Sequence, residues 1–104
     1  METELNYIAL FFAGAFLCNA IPHLVAGLQG QPFPSPFAKP PGRGNSPALV
    51  NFIWGAVNAL IGLFLLSLFP PVLGLNGECL AVALGAVLLG LGLAHHFGRV
   101  RGGS

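Results

Sequence analysis

The run ALVNFIWGAVNALIGLFLLSLF, residues 48–69, decides the fold: 22 residues without a charge, ending at Pro70-Pro71. At 1.5 Å per residue such a helix is ~33 Å long, enough to cross a hydrocarbon core of about 30 Å. The flanks carry the matching punctuation. Asn45 or Ser46 is expected to cap the helix, Pro47 suits its first position, and the Pro70-Pro71 pair stops it.

Outward from this run the pattern repeats. Residues 5–28 give 24 largely apolar residues, with no charged side chain between Leu5 and Gln31. Residues 78–97 give 20 more, charged only at Glu78, with Asn76-Gly77 reading as the turn before them and Gly98 as their stop. The expected fold is an all-α integral membrane protein with three transmembrane helices in a single membrane domain over residues 1–104. Composition agrees: 55% of the residues are hydrophobic, 7% are charged and the mean hydropathy is +0.80. A soluble chain carries about 25% charged residues, and disorder calls for low hydrophobicity with high net charge. A net charge of +1 supplies no basic field for nucleic acid. The first run is expected to stay in the mature chain. Glu2 and Glu4 stand where a signal peptide needs Lys or Arg, and Leu17 before Cys18 spoils a lipoprotein site.

The cations set an orientation. Lys39 and Arg43 lie in the first connection and Arg99 and Arg101 in the tail, whereas the N-terminus and second connection have none. The positive-inside rule then places the N-terminus outside and the C-terminus in the cytoplasm, with Glu2, Glu4 and Glu78 on the outer side. Glu78 also suits the positive end of the third helix dipole.

The connection over residues 29–47 holds six of the nine prolines: Pro32, Pro34, Pro36, Pro40, Pro41 and Pro47. It should be extended and stiff, and it lacks the P-x-x-P spacing of an SH3 ligand. Phe33, Phe37, Lys39 and Arg43 read as interface anchors laying the loop along the cytoplasmic membrane surface, with Trp54 as a further aromatic near that level. A re-entrant or partner-binding loop is the other reading, and neither a strand pattern nor an internal repeat is visible. Asn19-x-x-Pro22-His23, Gly30-x-Pro32-Phe33-Pro34-x-Pro36-Phe37, Pro40-Pro41-Gly42-x-Gly44 and Asn51-x-x-Trp54-Gly55-x-x-Asn58 together resemble an uncharacterised group of small bacterial three-helix membrane proteins. The resemblance spans roughly the first two thirds of the chain and implies a bacterial inner-membrane setting, with no catalytic residue to carry over.

Polar side chains within the spans are where chemistry would lie. Asn19 and His23 share an i, i+4 row with Ala15 and Gly27 on the first helix. Asn51, Gly55, Asn58 and Gly62 share a stripe on the second, and Glu78, Ala81, Gly85, Gly92 and His96 share a face of the third. By depth, Asn19 and Asn58 fall near the bilayer centre, while His23, Asn51 and His95 or His96 fall roughly 10–13 Å toward the cytoplasm. One reading makes the asparagines interhelical glue, worth about 0.6–2 kcal/mol per contact, with His95 and His96 at the headgroups. A second makes His23 and His95 or His96 a proton-responsive or ligand-holding pair. A third uses them as axial ligands of a non-covalent haem. No cofactor is expected beyond that minor alternative. No metal pattern exists, and Cys18 and Cys79 lie at depths too different for a disulfide.

The third helix bears another small face at Ala83, Ala86, Gly90 and Ala94. Small residues let helix backbones approach closely in lipid, so Gly55, Gly62, Gly85, Ala86, Gly90, Gly92 and Ala94 are the expected packing positions. Two such faces on one helix point to a neighbour from outside the chain. No nucleophile triad, phosphate loop or carboxylate pair is present. The expected function is therefore non-enzymatic: an accessory or assembly subunit of a larger membrane complex, surrounded by membrane lipids. The alternatives are a homo-oligomeric channel or transporter and a haem-bearing redox subunit.

Overall fold

The computed structural model describes residues 2–102; the side chain of Glu2, one of the acids assigned above to the outer side, lies outside the described part. Three helices account for most of the chain: α1 (Glu2–Leu28), α2 (Ala48–Leu68) and α3 (Gly77–Gly102). All three are long and apolar enough to cross a membrane. The molecule measures 40 × 28 × 22 Å, and its long axis is close to the 40–45 Å of a bilayer with its headgroup regions.

The first helix is the axis of the bundle. α2 and α3 each pack along α1 and hardly against each other. Glycines permit both contacts. A β-carbon added at Gly85 would collide with the carbonyl oxygen of Phe11, and one at Gly14 with that of Val82, so α1 and α3 meet backbone to backbone. On the other side, a β-carbon at Gly55 would lie 2.8 Å from the backbone nitrogen of Leu24. Such fit matters in lipid, where dispersion contacts replace the hydrophobic drive. The outward surface is apolar: Leu60, Leu63, Phe64, Leu88 and Leu91 are all more than half exposed.

Four expectations change. Asn45 and Ser46 do not cap α2. Pro47 itself occupies the N-cap position in extended conformation with no side-chain cap bond, and Asn45–Ser46 forms a short strand, β2. This strand pairs antiparallel with β1 (Phe33–Pro34), matching Phe33 with Ser46 and Pro34 with Asn45. A ladder of two residue pairs is too short to leave an alternating pattern in sequence. Gly98 does not stop α3, which continues to Gly102. One internal glycine costs only about 1 kcal/mol, and Arg99 and Arg101 in the last turn favour the negative end of the helix dipole. At the other end Asn76 is a cap rather than part of a plain turn, because its Oδ1 accepts from the Cys79 backbone N–H at 2.9 Å.

The fourth change concerns the connection between α1 and α2. It is not the extended strap that its prolines suggest. It folds back over the ends of the helices, burying Phe33, Ser35, Ala38 and Ser46. Its turns are closed by the backbone bonds Gly42 N–H to Ser35 O (2.8 Å) and Gly44 N–H to Pro40 O (2.9 Å), with Gly42 at a φ of +73°. Only glycine adopts that conformation readily.

Candidate functional site

The polar residues of α1 and α2 face each other through two connected pairs. Near the middle of the helices, Asn19 Nδ2 donates to Asn58 Oδ1 at 2.9 Å. Asn58 in turn donates from Nδ2 to the carbonyl of Trp54 one turn back, at 2.8 Å. One turn closer to the loop, the His23 ring and the Asn51 amide meet at 2.8 Å between Nδ1 and Oδ1. Asn51 has no exposed surface at all, and Asn58 retains 1% and His23 3%. The stripe Asn51, Gly55, Asn58, Gly62 comprises the buried residues of α2, turned wholly onto α1.

Asn51 is the hub. Its Nδ2 has three carbonyl oxygens around it: Phe33 at 3.0 Å, Ser46 at 3.1 Å and Pro47 at 3.3 Å. Carbonyls only accept, so this end of the amide must be the NH₂ and the other end the oxygen that meets His23. His23 Nδ1 therefore carries the proton and donates to Asn51 Oδ1. A single side chain thus joins α1, α2 and both ends of the loop. Ser35 and Ser46 reinforce the closure, their hydroxyl oxygens 2.6 Å apart and buried.

The third helix joins through His96, whose Nε2–H donates to the Gly42 carbonyl at 2.6 Å. His95, its sequence neighbour, is exposed and makes no hydrogen bond among the described residues. Aromatic contacts fill the remaining space. Phe33 packs edge-to-face on His23 with centroids 5.5 Å apart and lies 4.7 Å from Phe97. Arg101 is placed over the Phe33 ring, 5.4 Å from its centroid, a cation–π geometry. Phe33 is thus a buried wedge, unavailable to lipid as an anchor. Phe37 differs: it is 62% exposed and rests edge-to-face on Trp54. Lys39 and Arg43 are exposed on the outside of the loop.

The small positions of α3 divide. Gly85 is buried, Ala86 and Gly90 are half-buried toward α1, whereas Gly92 and Ala94 are exposed. A β-carbon at Gly92 would meet nothing within 4 Å. Ala83 is exposed as well. Cys18 lines a cleft between α1 and α3, and Cys79 sits in the first turn of α3, its thiol donating to the Val72 carbonyl at 3.3 Å.

Under the loop lies a pocket of about 160 Å³, bounded by Asn19, His23, Ser35, Trp54, His96 and Phe97 among others. His23 and His96 share it but are each engaged by a different partner, Asn51 and Gly42. Its volume falls below the ~300 Å³ at which sites for drug-sized ligands begin. A haem between the two imidazoles draws no support from this geometry. No group of three metal-ligating side chains occurs among the described residues.

No family model, curated protein or solved structure matches the chain. The site therefore rests on its own geometry. Sequence reasoning missed Ser35, Gly42, Phe97 and Arg101. Of these only Gly42 left a signal, the Pro41-Gly42 turn dipeptide.

Proposed function

We propose that this chain is a non-enzymatic, multi-pass subunit of a bacterial inner membrane that assembles with a larger membrane protein. The observation that carries the reading is that several small residues of α3 stay exposed after the helix has packed on α1. Gly85, with Ala86 and Gly90, is spent on α1. Ala83, Gly92 and Ala94 remain exposed, and a β-carbon at Gly92 would meet nothing within 4 Å. Small residues on an outward helix face give a partner helix close access, and lipid alone does not need them.

The channel alternative has less behind it. It needs the asparagine stripes to face a shared axis between copies, yet Asn51 and Asn58 are fully turned inward and bonded within one chain. A packed bundle with axes about 8–10 Å apart encloses no path of its own. The orientation with the loop and the C-terminus in the cytoplasm follows from the four cations near that end.

The test pairs two measurements on one protein. A photo-crosslinker at Ala94 in native membranes is expected to give one adduct of defined mass larger than a dimer of this chain. The protein purified alone is expected to be a monomer that moves neither ions nor solutes in liposomes. A homo-oligomer with measurable flux would overturn the reading.

A further inference from the structure

The side chains that line the pocket under the loop leave a buried acceptor without a hydrogen-bond partner. With Nδ1–H committed to Asn51, a neutral His23 presents a bare lone pair at Nε2. That nitrogen has no hydrogen-bond partner among the described residues, although the side chain is 97% buried, the complement of its 3% exposure. It is not sealed in the protein either, since no fully buried side-chain nitrogen or oxygen is left unpaired among the described residues. Nε2 therefore keeps its access through the pocket that His23 lines. The same bookkeeping applies to Asn19. Asn58 is oriented by its bond to the Trp54 carbonyl, so Asn19 must donate from Nδ2, leaving its Oδ1 an acceptor without a partner among the described residues. His96 spends its Nε2–H on Gly42. The pocket thus offers acceptors beside the rings of Trp54 and Phe97 and the Leu93 side chain, and the Trp54 indole N–H is likewise without a hydrogen-bond partner among the described residues.

We infer that this pocket binds a small, uncharged, membrane-partitioned molecule that donates one hydrogen bond to His23 Nε2, of the size and class of a phenol. The volume fits. The pocket holds about 160 Å³, and an apolar cavity of about 150 Å³ accommodates benzene in another protein. Leu93 and Phe97 also line the cleft of about 270 Å³ between α1 and α3, so the two cavities adjoin at these side chains. A cationic donor is disfavoured, because Arg101 lies over Phe33 beside the pocket and no carboxylate lines it. An apolar ring between Trp54 and Phe97 would place its hydroxyl toward His23, with Asn19 Oδ1 left to water.

Trp54 is the only tryptophan in the chain and lines the pocket, so its fluorescence reports occupancy. The experiment titrates phenol and anisole, which has the ring but no donor, into the detergent-purified full chain. The expected result is a saturable change with phenol that is about tenfold weaker with anisole, the upper end of what a net neutral hydrogen bond supplies. His23→Phe, which keeps a ring without the acceptor, should weaken phenol by a similar factor. Because His23 also holds Asn51, the second variant is Leu93→Phe, which fills the pocket from α3 and leaves that bond intact; it should abolish the saturable phase. A response that is linear, equal for the two compounds or unchanged in Leu93→Phe reports partition into the micelle and overturns the proposal. So does the absence of any response, which leaves the pocket to water.

Discussion

Asn51 illustrates how much one side chain determines when it is buried in a chain of this kind. It makes four contacts, to the His23 ring and to the carbonyls of Phe33, Ser46 and Pro47. Asn51→Leu keeps the volume and removes the amide that ties helix to loop, stranding the buried His23 N–H, while the carbonyls of Phe33, Ser46 and Pro47 keep their backbone donors. Each stranded buried group costs about 1–3 kcal/mol. The expected outcome is a loop that opens while the helices remain, read as faster tryptic cleavage after Arg43 with unchanged helical circular dichroism. Equal protection of wild type and variant would show that the loop is held by other contacts. The stripe containing Asn51 was legible in sequence, since Asn51, Gly55, Asn58 and Gly62 recur at helical spacing. Its partners were not. The acceptors around Asn51 Nδ2 are main-chain carbonyls, which every residue carries, so no residue type announces them.

At the scale of the elements, three helices follow from the apolar runs with little ambiguity, because length and lack of charge leave no other way to satisfy the backbone in lipid. The folded connection does not follow. Its prolines signal stiffness, and stiffness is equally compatible with a strap along the surface and with the folded cap observed. Phe33 and Phe37 look alike in sequence, yet one is a wedge against His23 and Phe97 and the other is exposed beside Trp54. Glycines on α3 are likewise indistinguishable until packing is known. Gly85→Ala places a methyl into the Phe11 carbonyl and should destabilise the α1–α3 contact by about 1–3 kcal/mol. Gly92→Ala meets nothing in this chain and should be neutral, or slightly stabilising through helix propensity of up to about 1 kcal/mol. Thermal unfolding of the two variants in the same detergent measures the contrast. Equal effects would mean that the two glycines do not differ in packing.

For the whole molecule, the consequence is a division between inside and outside. Polar groups from α1, α2, the loop and α3 converge at one end and bond to one another: Asn51 with His23 and the loop carbonyls, Ser35 with Ser46, His96 with Gly42. The outside is left apolar, with charges near the ends of the helices and in the connections. The sequence separated those regions by composition and placed His23, Asn51 and His95 or His96 at similar depth. That the loop is their common partner depends on the close approach of segments far apart in sequence, 54 residues in the case of Gly42 and His96. Closure of the loop over the polar ends can be read from a cross-link within it. In a background with Cys18 and Cys79 replaced by Ala, Ser35→Cys and Ser46→Cys together place two thiols where hydroxyl oxygens now lie 2.6 Å apart. A disulfide requires β-carbons about 3.5–4.5 Å apart. In reconstituted bilayers, mild oxidation is expected to convert the pair to an intramolecular disulfide nearly quantitatively, read by mass spectrometry after thiol blocking. Two thiols that stay fully free for alkylation under those conditions would contradict it, and would return the loop to an open strap along the membrane surface.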